Sequence, residues 1–258
     1  MLGIFTRRHV AVLTASAALS LAAFTYSYAA DMIPAGVAKA VADAGRPDAD
    51  KARDADRKPA EIIAFAGIKE GDKVLDLVPG GGYFTRIFSK TVGPKGKVYA
   101  LVPSELVTMR ATAADAVKAI AADAAYANVS VVSTPFNAIA VSEPLDVVWT
   151  SLNYHDFHVK ALGADAAAVN RAAFSALKKG GTYIVIDHAA AKGSGLRDPE
   201  LLHRIDAEQV KTEVLAAGFE LVGESNLLAH PADDHTAKVF DAGVRGKTDQ
   251  FALKFRKK

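Results

Sequence analysis

Two rhythms of apolar residues alternate along this chain. Short runs in which most residues are apolar occur at 74–78, 97–102, 128–132, 145–151, 182–187 and 219–225. Between them, apolar residues return every three or four positions, as on one face of a helix. The first such helix is started by Asp54 or Asp56, carries Pro59 in its first turn, places Ile62, Ile63, Phe65 and Ala66 inward and stops at Gly67. Helical spacing resumes at 83–89, through an alanine-rich stretch from Glu105 to Ala125, at 165–177, and at 202–218, where Asp206 is the expected cap. Strands that alternate with helices predict an α/β fold built on a parallel sheet.

The first strand leads into the most informative stretch, KVLDLVPGGGYFTR, residues 73–86. Pro79 to Gly82 break the strand pattern, and a helix follows at Tyr83. Successive glycines let a ligand approach the backbone, and the helix start offers unpaired N–H groups. A turn of this kind at the carboxyl end of a parallel strand is where open α/β sheets bind nucleotide-like ligands.

Asp76, Gly80 and Gly82 stand at three of the four fixed positions of the acid-x-Gly-x-Gly-x-Gly motif, so the chain resembles class I S-adenosylmethionine-dependent methyltransferases from about Asp54 onward. It is most similar to a group of small exported predicted methyltransferases with a PGGGYFT loop. The resemblance implies a Rossmann-like seven-stranded sheet, order 3-2-1-4-5-7-6, with Gln250–Arg256 as the antiparallel last strand and helices on both faces. It also implies S-adenosyl-L-methionine as cofactor, held by Asp76, Pro79, Gly80, Gly81, Gly82 and Tyr83. Two positions depart from the pattern. Val78 replaces the usual second glycine, and Val102 stands about where an acid normally binds the ribose, which leaves Glu105 as the nearest carboxylate.

A second polar cluster follows the fourth strand: Asn153, Tyr154, His155, Asp156 and His158 fall within six residues. In the family resembled, this place faces the transferable methyl group. His155, helped by Asp156, is the expected base, and Tyr154 and Asn153 are expected to position the acceptor. Strand five ends in Asp187 and His188, so His188 joins the same rim. Ala190–Arg197, with Gly193 and Gly195, reads as a lid, and His203 is a further candidate for the pocket. Phe136 and Asn137 are weaker candidates for cofactor contacts, Phe136 being better explained as core. His230, Asp233, Asp234 and His235 read as a solvated loop tip.

No HExxH-like spacing occurs, so no metal is expected, although His155, His158, Asp187 and His188 include acceptable ligands. Ser151 has no glycine-flanked nucleophile elbow, and VPGGGYF lacks the GxGxxG of nicotinamide enzymes. These features argue against a hydrolase and a dehydrogenase. The reading from another class is an exported binding protein that kept the fold and lost catalysis, since S-adenosylmethionine is made in the cytoplasm.

Composition narrows the picture further. The chain has 258 residues, half of them hydrophobic, which suits one α/β domain. Arg7 and Arg8 precede an uncharged run and then the small residues Ser27 to Ala29, the pattern of a secretory signal over 1–29 with a partial twin-arginine motif. The expected location is periplasmic or secreted, with no stable membrane insertion after cleavage. Residues 30–53 read either as an arm over the site or as a solvated linker, and 54–258 as the methyltransferase-like domain. Without 1–29 the chain carries 29 basic and 29 acidic residues. That balance speaks against nucleic acid and for a small-molecule acceptor. No cysteine is present, which removes disulfides and thiolate chemistry; the oligomeric state is not readable from this pattern.

Overall fold

The computed structural model describes residues 33–258. The expected signal segment, 1–29, lies outside the described residues. In chain order the helices and strands are α1 (Ala35–Val41), α2 (Asp48–Lys51), α3 (Asp54–Arg57), α4 (Pro59–Ala66), β1 (Lys73–Leu77), α5 (Tyr83–Val92), β2 (Lys97–Leu101), α6 (Ser104–Met109), α7 (Asp115–Ala122), β3 (Val129–Val132), β4 (Leu145–Ser151), α8 (Ala166–Ala176), β5 (Leu177–His188), α9 (Pro199–Leu202), α10 (Ala207–Ala216), β6 (Phe219–Ser225) and β7 (Gln250–Lys257). The strands form one seven-stranded sheet in the order β3-β2-β1-β4-β5-β7-β6. Pairing is parallel from β3 through β5, and β7 runs antiparallel to both β5 and β6. This is the expected Rossmann-like methyltransferase sheet.

The period-two alternation of each strand divides the core between the two faces. Val74, Val98, Val147, Trp149, Ile184 and Ile186 pack on one side with Ile62, Ile87, Phe88, Val117 and Ile120 from α4, α5 and α7. Leu75, Leu77, Tyr99, Leu101, Val148, Val185 and Phe255 pack on the other with Val169 and Ala173 of α8 and Val210 and Val214 of α10. Each such fully buried aliphatic side chain contributes about 1.5–3 kcal/mol. Ends are marked by local chemistry: Gly67 closes α4 in the left-handed conformation, Asp165 caps α8 and Asp206 caps α10.

Two expectations change. The stretch 105–125 is not one helix but α6, a 3-10 turn at Ala111–Ala114, α7 and another 3-10 turn at Ala124–Tyr126. The break falls at Arg110, which is extended, and Met109 points outward at 61% exposure. Alanine favours helix but offers little apolar surface to hold a long one in place. β5 begins earlier than the apolar run at 182–187: Lys178 to Gly181 lie inside it, where the register against β4 shifts between Leu145 and Val147 and Gly180 has φ 78°.

The segment 33–58 is tied to the domain by side-chain bonds. Arg46 is 2% exposed and grips Asp54 with both terminal nitrogens, at 2.9 and 2.6 Å. Asp54 also accepts from the Tyr83 hydroxyl at 2.6 Å, and Arg86 pairs with Asp50 at 2.9 Å. The arm is therefore tied to the first turn of α5, next to the glycine turn.

Candidate active site

The glycine turn keeps its motif conformation despite Val78. Val78 has φ 58°, a left-handed geometry that a β-branched residue adopts only under compulsion. Its N–H donates to Leu101 at 3.0 Å, and its carbonyl accepts from the Asn153 side chain at 3.1 Å. Those two bonds hold the valine where glycine would sit without strain. Beyond it, a Cβ added at Gly80 or Gly81 would meet nothing within 4 Å, so both face open space. Gly82 differs: a Cβ there would lie 2.2 Å from Ile120 Cδ1, and its φ is 78°. Gly82 is required by packing, whereas Gly80 and Gly81 form the open cradle. Pro79 closes the turn by accepting the Gly82 N–H at 2.9 Å.

Asp76 lies beneath this cradle, 4% exposed, and accepts one hydrogen bond, from the Thr85 hydroxyl at 2.6 Å. Burial pushes its pKa up to about 6, against the pull of Thr85 and the Arg57 charge. Arg57 was not singled out in the sequence. Its guanidinium lies over the rings of Tyr83 at 4.7 Å and Phe84 at 5.2 Å, and among the described residues no carboxylate pairs with it. Burial lowers its pKa to about 10. Its charge also acts on Asp76 and His188. Its signal in the sequence was weak, one arginine among several in the arm.

The expected cofactor contacts separate. Tyr83 is corrected: it is 3% exposed, bound to Asp54, and its ring is covered by Arg46, Arg53 and Arg57. It anchors the arm and leaves no face for a cofactor. Phe84 stacks on Phe88 and packs at a tilt against Trp149, and Phe136 lies in the core against Phe157. Both are packing residues. Asn137 accepts the Asp165 N–H at 2.9 Å, ahead of α8. Glu105 accepts the Phe136 N–H with both oxygens at 3.2 Å, which places its carboxylate beside the loop after β3.

At the ends of β4 and β5 the rim cluster assembles differently from the expectation. His155, 3% exposed, directs Nδ1 at Asp187 at 2.9 Å and donates its backbone N–H to the same carboxylate at 2.7 Å. Asp187 is completely buried, which would raise its pKa, but the charge and hydrogen bonds of His155 outweigh burial and hold it below the usual carboxylate range. It is therefore ionised, and it orients His155 with Nδ1–H toward itself and Nε2 toward Asp156 at 3.3 Å. The helper of His155 is thus Asp187 as well as Asp156. Asp156 is pushed up to about 6 by burial, and the Asp187 charge adds to this, against the pull of His155. His188 bonds Thr248 through Nδ1 at 2.7 Å, and burial lowers its pKa to about 4, so it is neutral at ordinary pH.

Tyr154 is a second correction. Its hydroxyl is buried on the α8 and α10 side, donating to Glu213 at 2.8 Å and accepting from Asn170 at 2.7 Å. It cannot position an acceptor there, because the backbone turn at Leu152, where φ is 63°, sends it to the face opposite the rim. His158 shares Glu213 with it at 3.1 Å. Asn153 is spent on the backbone, donating to Val78 and to Ser151, and so ties the rim to the glycine turn. His203 does reach the cluster, its ring 5.3 Å from that of His155. The loop after β6 is not a solvated tip. Asp233 is 8% exposed and pairs with Arg204 at 2.8 and 3.0 Å, while Asp249 binds His235 at 3.0 Å. The lid reading also changes, since Gly193 and Gly195 donate to Asp206 and fasten that loop down.

A family model described as a methyltransferase domain matches residues 68–235. The chain belongs to that methyltransferase family. The match spans the glycine turn, the β4 and β5 rim and His203. Among solved structures, this methyltransferase is similar to an S-adenosylmethionine-dependent methyltransferase from Aquifex aeolicus, at 19% identity and a TM-score of 0.53, over 83% of this chain and 99% of that one. It is also similar to an arsenic(III) S-adenosylmethionine methyltransferase from Chlamydomonas reinhardtii, at 22% identity and a TM-score of 0.52, over 87% and 73%. No curated protein matches the sequence. Methyl transfer is the chemistry that the family's description names, and the Gly80–Gly81 cradle leaves the backbone open to a ligand above Asp76.

Proposed function

We propose that this methyltransferase acts on a small-molecule acceptor outside the cytoplasm, with His155 receiving the acceptor's proton. The cofactor supplies a methyl on a positively charged sulfur, already a good leaving group. What remains for the protein is to hold the nucleophile in line, take up a proton and exclude water. Gly80 and Gly81 would admit the cofactor to the backbone, Arg57 would meet its carboxylate, and Asp76 would face its positive end.

The single observation that carries the acceptor side is the buried His155–Asp187 pair, which turns Nδ1 inward and Nε2 toward Asp156 at the rim. Asn153 bonds the same loop to the Val78 carbonyl, so base and cofactor turn are fixed relative to each other. The balanced charge of the chain without 1–29 supports a small acceptor over a polyanion. The Arg7, Arg8 and apolar pattern supports export, as does the likeness of the PGGGYFT loop to exported relatives.

Titration calorimetry on the chain from Ala30 onward, with S-adenosylmethionine and S-adenosylhomocysteine, tests the reading. Binding tighter than about 100 μM, roughly 5.5 kcal/mol, is expected, and its loss in Gly81→Asp. Absence of heat in the folded chain would overturn it in favour of a repurposed fold. Cell fractionation with N-terminal sequencing of the product tests export.

A further inference from the structure

Proton uptake does not exhaust the rim cluster. One ligand atom each from His155, Asp156 and His203 lies within 4.8 Å of the others. His155 Nε2 stands 3.3 Å from Asp156 Oδ1, and His203 Nδ1 stands 3.9 Å from that same oxygen. Donors about 2.1 Å from a shared first-row ion are separated by roughly 3–3.5 Å, so small side-chain rotations close the set. The residues come from two separate segments of the chain, one after β4 and one after α9.

The surroundings support ligation. Asp187 accepts from His155 Nδ1, the outer-carboxylate arrangement that fixes a metal-binding imidazole and strengthens its free nitrogen. His203 sits at φ 55° and ψ 44°. The residue after it is anchored by the Arg204–Asp233 pair and by bonds from Arg204 to the carbonyls of Ala189 and Ala237. Phe240 covers the His203 ring at 4.9 Å, an apolar shell on one side. Asp156 and His203 are about a quarter to a third exposed, which leaves positions open to a further ligand.

We infer that His155, Asp156 and His203 form a binding site for a divalent first-row transition cation, with two imidazoles and one carboxylate on one side and open positions on the other. The site stands independently of the cofactor. Its consequence for catalysis rests on the methyl-transfer reading: an acceptor hydroxyl on the ion would lose its proton to solvent near neutral pH, and the ion would occupy the His155 nitrogen that otherwise takes that proton.

The test is calorimetric titration of the untagged, chelator-treated chain from Ala30 onward with zinc chloride. Manganese chloride, followed by electron paramagnetic resonance, gives a second probe. One saturable zinc site per chain is expected, weakened at least about 100-fold in His203→Asn and about 10- to 100-fold in Asp187→Asn, and unchanged in His235→Ala. Asparagine tolerates the left-handed backbone at 203, so that variant keeps its fold, checked by circular dichroism. Lack of saturable zinc binding in the folded chain would overturn the proposal, as would binding that survives His203→Asn. Titrating S-adenosylhomocysteine into the same metal-free sample separates the two readings. Zinc without cofactor binding removes methyl transfer and keeps the site, whereas cofactor without zinc binding does the reverse.

Discussion

Replacing Asp76 with asparagine measures what it costs to keep a carboxylate under the glycine turn. The side chain is buried, its one hydrogen bond comes from Thr85, and its pKa is pushed up to about 6 from the ordinary 3.8. At about 1.36 kcal/mol per unit, that shift corresponds to about 3 kcal/mol. The folded protein holds this proton more tightly than the unfolded chain does. Stability from this group is therefore greatest at low pH, declines as pH rises from about 4 to about 6, and stays reduced above. Asparagine cannot ionise, and its oxygen still accepts from Thr85. Urea unfolding of both proteins at intervals between pH 4.5 and 7.5 should show the variant more stable by about 1 kcal/mol at the acid end and by about 3 kcal/mol at the other. A difference that does not change with pH, or one that favours the wild type increasingly as pH rises, would refute the reasoning. The same variant should bind S-adenosylhomocysteine more weakly, because a carboxylate held at a stability cost is the group that the ligand's ammonium relieves.

Three further outcomes follow from the same geometry. Gly82→Ala should destabilise by about 2–4 kcal/mol in chemical unfolding, from the left-handed backbone and the clash with Ile120, while Gly81→Asp should leave stability within about 1 kcal/mol and remove cofactor binding. Arg204→Met leaves Asp233 buried without its cation and should cost about 3–5 kcal/mol. Burial alone would raise the Asp233 pKa, but Arg204 and the N–H groups of Asp249 and His235 hold it down, so its stabilising contribution is present above about pH 4 and is lost as pH falls through the lowered value. Arg57→Met should keep the fold, since no ion pair is broken, and weaken S-adenosylhomocysteine by about 10- to 100-fold in calorimetry.

The centre of the sheet was legible in the sequence because its strands are buried on both faces and read as apolar runs, whereas the edge strand β6 is partly exposed and mixes apolar with polar residues. LDVVWTS and FELVGES match β4 and β6 residue for residue. Side-chain direction was less so. Tyr154 and His155 are neighbours in a polar run that looks uniform in sequence, yet one reaches Glu213 in the core and the other Asp187 at the rim. Only the backbone turn at Leu152, where φ is 63°, sets which residue faces which way, and leucine gives no sign of a left-handed conformation. Val78 is the same case at the cofactor turn: a residue that seems to break the motif is forced into the motif's conformation by Leu101 and Asn153.

His203 explains why the cluster as a whole could not be read. It lies far from His155 in the chain, and no fixed spacing joins them. What brings them together is a buried ion pair between Arg204 and Asp233, two residues that look like ordinary surface charges in sequence. The loop after β6 thus acts as scaffold for the rim. If so, Asp233→Asn should disturb zinc binding as well as stability, whereas Asp146→Asn, which removes the Lys178 pair at the opposite end of β4, should lower stability alone. Equal effects of the two substitutions on zinc affinity would show that the rim is not positioned through Arg204.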